Sequence, residues 1–204
     1  IFVSKDSSMK PMIQILLLAL LASCGKIPVS PVNPGPVPQP GLQYINLNDA
    51  IVKPGNNQLL DIDGDGVRDL NFKVYLVGDP ILKRDRYFYA VSSFENSRLL
   101  AAGENESPVM EKEDLIPVKN LPDFEWYLVA EVNLVQKVIE INRAPYWMGS
   151  WVNAIDSYLA FQLVKGPSVF NGWIQLSFDK ANEQIVLHHA AFSLQPGVDI
   201  KAGL

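Results

Sequence analysis

The sequence predicts an all-β domain, an antiparallel β-sandwich, and three observations support this prediction. Apolar residues alternate with polar ones along several short runs, which is the pattern of strands with one buried face. Many of the 13 glycines and 15 prolines lie between these runs, as turn residues do. Only 19% of the residues are charged, which leaves little sequence suited to long, solvated helices.

Eight runs are expected to form strands: 43–47, 71–77, 86–92, 124–129, 137–141, 158–164, 173–178 and 184–192. Turn sequences lie between several of them, at 78–80, 103–105, 166–168 and 195–197. Short strands at this spacing favour a sandwich of the jelly-roll or immunoglobulin-like kind. Two stretches, 111–115 and 132–138, are the candidates for short helices.

Residues 1–23 are predicted to be a secretory signal that is not part of the fold. A short positive region at Met9 and Lys10 precedes an apolar run at 12–22. This run is too short to cross a membrane, which takes roughly 20 apolar residues. The residues before Met9 fit no signal architecture, so we expect the true start at Met9.

The apolar run ends in the sequence Leu21-Ala22-Ser23-Cys24, which resembles the lipobox of bacterial lipoproteins. The resemblance implies cleavage before Cys24 and lipidation of this residue, the only cysteine in the chain. Acyl chains would then hold the protein on a membrane without a spanning helix. Gly25 follows where an Asp would retain a lipoprotein in the inner membrane, which favours the outer membrane and leaves its two faces open.

Residues 24–40 are expected to form a linker between the lipidated cysteine and the folded domain. The part from 28 to 40 holds six prolines and no charged residue. Such a segment favours an extended polyproline conformation and spans on the order of 40 Å at about 3.1 Å per residue. The folded domain is therefore expected at 41–204.

The segment 61–69 carries the strongest chemical signal, with four aspartates and two glycines at short spacing: Asp61, Asp63, Asp65, Asp69, Gly64 and Gly66. Carboxylates this close repel one another unless a cation lies between them, and the glycines allow the sharp turn that points them inward. Oxygen ligands of this kind suit calcium. We predict a structural calcium ion bound by Asp61, Asp63, Asp65, the Val67 carbonyl and Asp69.

This segment differs from an EF-hand, because the twelfth position is Phe72 where a glutamate is expected, and strand-like sequence follows it. It resembles the strand-flanked D-x-D-G-D-G-x-x-D loops of integrin-type (FG-GAP) blades and of many secreted bacterial β-proteins. One copy cannot build a propeller, so the resemblance implies the loop and not that fold. The alternative is an Asp-Gly-rich hairpin turn without a metal.

Segments 158–163, 171–176, 185–192 and 197–203 resemble the closing strands of secreted or surface-anchored bacterial β-sandwich proteins. The shared pattern is an aromatic-rich strand, a Gly-Trp pair, and a terminal G-x-x-I-x-A-G. This second resemblance implies the fold and a location in the cell envelope, and it names no activity.

Most chemical functions find no support in the sequence. The net charge of −5 argues against a nucleic-acid partner, and the single cysteine excludes a disulfide framework. No Gly-x-Ser-x-Gly motif indicates a serine hydrolase. His188 and His189 are adjacent on an expected strand, so their side chains should lie on opposite faces.

The stretch 145–151 is rich in aromatic residues, of which Trp147 and Trp151 could form a platform for a ligand or pack in the core. We expect a membrane-anchored, calcium-stabilised, non-catalytic β-sandwich lipoprotein of the bacterial envelope that binds a glycan or a protein partner. The alternative is a jelly-roll envelope hydrolase of the glycosidase type, which needs a carboxyl pair about 5–10 Å apart. The acidic groups at 111–114 and 123–125 lack the motif of such enzymes.

Overall fold

The computed structural model describes residues 41–103 and 105–204, in which all regular structure is β-strand. The strands are β1 Leu42–Val52, β2 Gln58–Leu60, β3 Leu70–Asp79, β4 Arg84–Ser93, β5 Ser97–Ala101, β6 Leu115–Ile116, β7 Glu125–Leu128, β8 Glu131–Glu140, β9 Tyr146–Met148, β10 Ser157–Lys165, β11 Ser168–Asp179, β12 Gln184–Ser193 and β13 Ile200–Lys201. Within these ranges there is no helix long and apolar enough to span a membrane. The predicted signal 1–23, Cys24 and the linker 24–40 lie outside the described residues.

The domain is an antiparallel β-sandwich, as predicted. One sheet has the order β1-β12-β11-β10-β5-β7 and the other the order β2-β3-β4-β8-β9. A small third sheet pairs β13 with β6. Each of the eight predicted runs overlaps a strand, whereas both predicted helices are wrong: 132–138 lies within β8, and 111–115 forms a turn that leads into β6.

The main core lies between the two large sheets and explains why 132–138 is a strand. On β8, the side chains of Val132, Leu134 and Val135 are fully buried in this core, because pairing with β4 passes from Ala90–Asn133 to Tyr89–Val135 and leaves Leu134 as an extra residue. They meet residues of the opposite sheet such as Phe161. A segment that is rich in valine and has one face against a core is more stable as a pleated strand than as a helix.

A second core covers the outer face of the six-stranded sheet. Trp173 on β11 and Tyr158 on β10 pack there with their rings perpendicular, at a centroid distance of 5.3 Å. Ile116 on β6 and Ile200 on β13 close over them. The central strands of this sheet are therefore buried on both faces. Along them, successive side chains point into one core and then into the other, so neither face is exposed to solvent.

An irregularity in β12 places both histidines on the outer face of the sheet, so the expectation of opposite faces is wrong. Pairing with β11 passes from Gln175–His189 directly to Leu176–Leu187, which leaves His188 without a partner. Leu187 and Ala190 both point into the main core, so the two residues between them point outward. This is the effect of a β-bulge, which adds one residue and breaks the alternation of sides.

Candidate metal centre

The segment 61–69 forms the loop between β2 and β3, and its two ends are joined. Leu60 pairs with Leu70 at the base, and the Asp69 N–H donates to the Leu60 carbonyl at 2.8 Å. Ile62, only 2% exposed, points from the loop into the main core. The hairpin and this apolar anchor together hold the loop in one position relative to the sandwich.

The loop brings three of the predicted ligands together. Asp61, Asp63 and Asp65 each offer a carboxylate oxygen, and these oxygens lie within 4.8 Å of one another. Three aspartates at alternate positions of one tight turn produce such a group. The sequence spacing alone was sufficient to predict it.

Backbone N–H groups of the loop hold these carboxylates. The two oxygens of Asp61 accept from the Gly64 N–H at 2.8 Å and the Gly66 N–H at 2.9 Å. Asp65 accepts from the Val67 N–H at 2.7 Å. Both glycines have positive φ angles, +74° at Gly64 and +88° at Gly66, which other residues adopt only with strain.

A basic side chain from the opposite sheet reaches this group, and the sequence analysis did not identify it. The ammonium of Lys165, at the end of β10, lies 2.6 Å from Oδ2 of Asp63. Its hydrogen bond to Asp63 is the main reason that the pKa of Lys165 is raised above its ordinary value. The two residues are far apart in sequence, and no local pattern at Lys165 points to the contact.

Asp69 lies apart from the three grouped carboxylates. It is fully buried, and its two oxygens accept from the Ile62 N–H at 2.6 Å and from the side-chain amide of Asn96. Burial raises the pKa of Asp69 to about 6, and the negative charges of the neighbouring loop aspartates add to this shift. A ligand role for Asp69 stays a prediction, as does one for the Val67 carbonyl.

The predicted aromatic platform is wrong for one of its two residues. Trp151 is fully buried in the main core and donates its Nε1–H to the Ser107 carbonyl at 3.1 Å. Trp147 on β9 is half-buried, and its ring packs against Phe178 at a centroid distance of 5.0 Å. Core packing, the alternative interpretation of the stretch 145–151, accounts for both contacts.

The acidic groups considered for glycoside hydrolysis are turn and surface residues. Glu111 and Asp114 are exposed, and the Glu111 N–H donates to the Asp114 carboxylate at 2.8 Å within their turn. Glu125 is exposed on β7 and accepts from the Tyr127 hydroxyl at 3.2 Å. Neither group gives support to the hydrolase alternative.

Comparison of the chain with models of protein families, with curated proteins and with solved structures gave no match.

Proposed function

We propose that this protein is a calcium-stabilised β-sandwich, held on a bacterial membrane by lipid at Cys24, that binds a glycan or a protein partner. The observation that carries the calcium part is the group of carboxylate oxygens from Asp61, Asp63 and Asp65. The lipobox resemblance supports the anchor, and Gly25 after Cys24 supports a place at the outer membrane.

The charge balance of the loop favours a divalent cation. Three carboxylates meet one ammonium, that of Lys165, so the group keeps an excess of negative charge that repels itself. A calcium ion would neutralise this excess through the hard oxygen ligands that it prefers. Its role would be structural, since it would hold the three aspartates of the β2–β3 loop in one arrangement.

Calorimetry and thermal melting of the purified protein test this role. Sites of this class bind calcium with dissociation constants of about 10⁻⁴–10⁻³ M. At a calcium concentration about 100 times the dissociation constant, the expected gain is about 2.7 kcal/mol in the free energy of unfolding. If 10 mM calcium leaves both the heat signal and the melting temperature unchanged, the loop is a turn without a metal.

Substitution shows whether any binding belongs to this loop. Asp61→Asn and Asp65→Asn should each weaken calcium binding at least tenfold, because each removes a charged ligand. Asp123→Asn is the matched control, since it makes the same change at an aspartate that is exposed in a separate turn. If Asp123→Asn weakens calcium binding equally, the binding depends on the overall negative charge of the protein and not on this loop.

The anchor and the partner need their own measurements. Incorporation of radiolabelled palmitate in bacteria should depend on Cys24, and Cys24→Ser should release the protein from the membrane fraction. A glycan array and a pull-down from envelope extract, each repeated with calcium and with EDTA, should identify the bound class. Failure of the anchor test would leave the calcium proposal standing, because the two rest on separate residues.

A further inference from the structure

Three neighbouring strands of the six-stranded sheet place a serine, a histidine and an aspartate in one line. Oγ of Ser177 on β11 lies 2.8 Å from Nε2 of His188 on β12. Nδ1 of the same ring lies 2.6 Å from Oδ1 of Asp49 on β1. Because β1, β12 and β11 are adjacent in the sheet, the three side chains share its outer face.

The backbone is irregular at the positions that form this line. His188 is the unpaired residue of the bulge in β12, and the ladder with β1 is broken at the same level, between Asn46 and Ala50. Asn48 and Asp49 fill that break with positive φ angles of 55° and 52°. Bulges of this kind are over-represented next to functional sites, where they redirect a side chain.

The positions of the protons follow from what each group can donate. An ionised Asp49 can only accept, so Nδ1 of His188 must carry the proton of that bond. In the neutral ring Nε2 is then an acceptor, and the Ser177 hydroxyl must donate to it. The Asp156 N–H donates to Ser177 Oγ at 2.9 Å, which fixes the oxygen and leaves its own proton for the histidine.

We infer that Ser177, His188 and Asp49 form a hydrolytic site for carboxylic esters, with Ser177 as the nucleophile and His188 as the general base. Asp49 is a positioning residue, which holds the ring in the required tautomer and stabilises its charged form. This goes beyond the proposed binding function and does not depend on the calcium loop. It also departs from the expectation of a non-catalytic protein, which rested on the missing Gly-x-Ser-x-Gly motif, on the lack of a glycosidase motif in the acidic groups and on the expected opposite faces of His188 and His189.

A fourth group lies where positive charge would develop. Oδ1 of Asp156 is 3.5 Å from Nε2 of His188, on the side of the ring opposite to Asp49. Two carboxylates therefore face the imidazole, one at each nitrogen, and both stabilise an imidazolium. The site is open to solvent, since the Asp49 side chain is 73% exposed and Ser177 is half-buried. We assign it small acyl groups such as acetyl, because these gain least from an enclosing pocket.

The reaction balances with water as the only co-reactant. Ser177 Oγ forms a bond to the ester carbonyl carbon while its proton passes to Nε2 of His188. The bond from that carbon to the alcohol oxygen then breaks, and the leaving alcohol takes the proton from Nε2. Water attacks the acyl-serine, gives one proton through His188 back to Oγ, and releases the carboxylic acid.

Two measurements on the purified protein, both in saturating calcium, test the site. With p-nitrophenyl acetate we expect a burst of one p-nitrophenol per chain. With a fluorophosphonate we expect a single covalent adduct, located at Ser177 by mass spectrometry of peptides. The adduct needs no variant, so it tests the proposal even if a substitution unfolds the protein. No adduct, or an adduct at another residue, overturns the proposal.

Variants separate catalysis from hydrogen bonding that is only structural. Ser177→Ala should abolish the burst, whereas Ser150→Ala, at an exposed serine, should leave it intact. Asp49→Asn should lower kcat by about 10³–10⁴-fold with little change in KM or melting temperature, because Asn also tolerates a positive φ angle. Asp123→Asn makes the same change at a similar φ angle elsewhere. An Asp49→Asn variant with an unchanged rate would exclude the positioning role, and with it the site.

Discussion

The ammonium of Lys165 lies 2.6 Å from Oδ2 of Asp63 and joins the six-stranded sheet to the acidic loop of the other sheet. The carboxylate is nearly buried, with 3% of the Asp63 side chain exposed, whereas 48% of the Lys165 side chain is exposed. A flexible, solvated ammonium thus supplies the positive charge nearest to a fixed, shielded carboxylate. A calcium ion in the loop would compete with it for the same oxygen.

Replacing Lys165 with Met should therefore have opposite effects on stability and on calcium binding. Without calcium, the loss of the ammonium should destabilise the protein by about 1 kcal/mol, the upper range for a partly exposed pair. Calcium binding should become about tenfold tighter, because the ion no longer displaces a cation. Calorimetry on Lys165→Met checks this, with the exposed Lys180→Met as its control. Weaker calcium binding in the variant would contradict the competition.

The pH dependence of stability should report on Glu131. This carboxylate accepts hydrogen bonds from the Lys73 ammonium at 2.6 Å, the Tyr75 hydroxyl at 2.7 Å and the Ser92 hydroxyl at 3.0 Å. Burial raises the pKa of Glu131, but these bonds together outweigh it and lower the pKa below its ordinary value of 4.5. The ionised form therefore stabilises the fold above about pH 4.5, and this stabilisation is lost as the pH falls through the lower pKa of the folded state.

Urea unfolding between pH 6 and pH 3 measures this effect. The wild-type protein should lose stability more steeply below pH 4.5 than Glu131→Gln, whose side chain does not titrate. Glu95→Gln removes an exposed carboxylate and should keep the wild-type slope. Parallel curves for the wild type and Glu131→Gln would show that this carboxylate does not contribute to acid sensitivity.

Gly172 on β11 should tolerate no side chain. It pairs with Phe161 across the strands, and a Cβ atom at Gly172 would lie 2.2 Å from Cζ of that ring. Phe161 is fully buried, so its ring has no free space to move into. Gly172→Ala should cost about 3 kcal/mol, or about 6–12 °C in melting temperature. Gly103→Ala, with open space around the new methyl group, should melt like the wild type.

Asn171 should hold the small third sheet on the second core. Its side chain is buried, and Nδ2 donates to the Ile116 carbonyl at 3.0 Å and the Val198 carbonyl at 2.9 Å. Asn171→Leu leaves both carbonyls without these donors and should destabilise the protein by about 2–4 kcal/mol.

Hydrogen exchange should locate this loss. In Asn171→Leu, the amides of β6 and β13 should exchange first, while those of β3 and β4 keep their protection. The control Asn153→Leu, at an exposed position, should leave the pattern unchanged. Uniform loss of protection across both large sheets would mean that Asn171 supports the whole domain and not the third sheet in particular.

The sequence predicted the long strands because each has one face against the main core, which a period of two makes visible. It failed for short strands such as β5, where Leu99, Leu100 and Ala101 are buried in succession. Those residues contact different cores on the two faces of the sheet. Strands β10 and β11 are also buried on both faces, but they keep polar residues such as Gln162 and Gln175 at alternate positions, whereas Leu99, Leu100 and Ala101 are all apolar, so no strand could be identified there.

The candidate sites contain some contacts within one turn and others between distant strands, and only the former could be predicted from the sequence. Asp61, Asp63 and Asp65 are brought together by one local turn, so their spacing was sufficient. The contact of Lys165 with Asp63, and the line from Ser177 through His188 to Asp49, depend on pairing between distant strands. The latter also depends on a bulge, which shifts every side chain beyond it to the other face. A sequence pattern that assumes regular strands places His188 and His189 incorrectly for this reason.

The pairing of β1 with β12 has a mechanical consequence. The carbonyl of Gly41 accepts from the Leu194 N–H at 2.8 Å, and β1 then runs along β12 from the Leu42–Ser193 pair to the Val52–Ile185 pair. Tension that is applied at residue 41 along the direction of β1, and resisted by the rest of the sheet, passes from β1 into β12. The hydrogen bonds of that ladder then carry the load together, in shear, and do not open one after another. A domain pulled at residue 41 in this way would resist extension much better than one in which β1 is peeled away from its side.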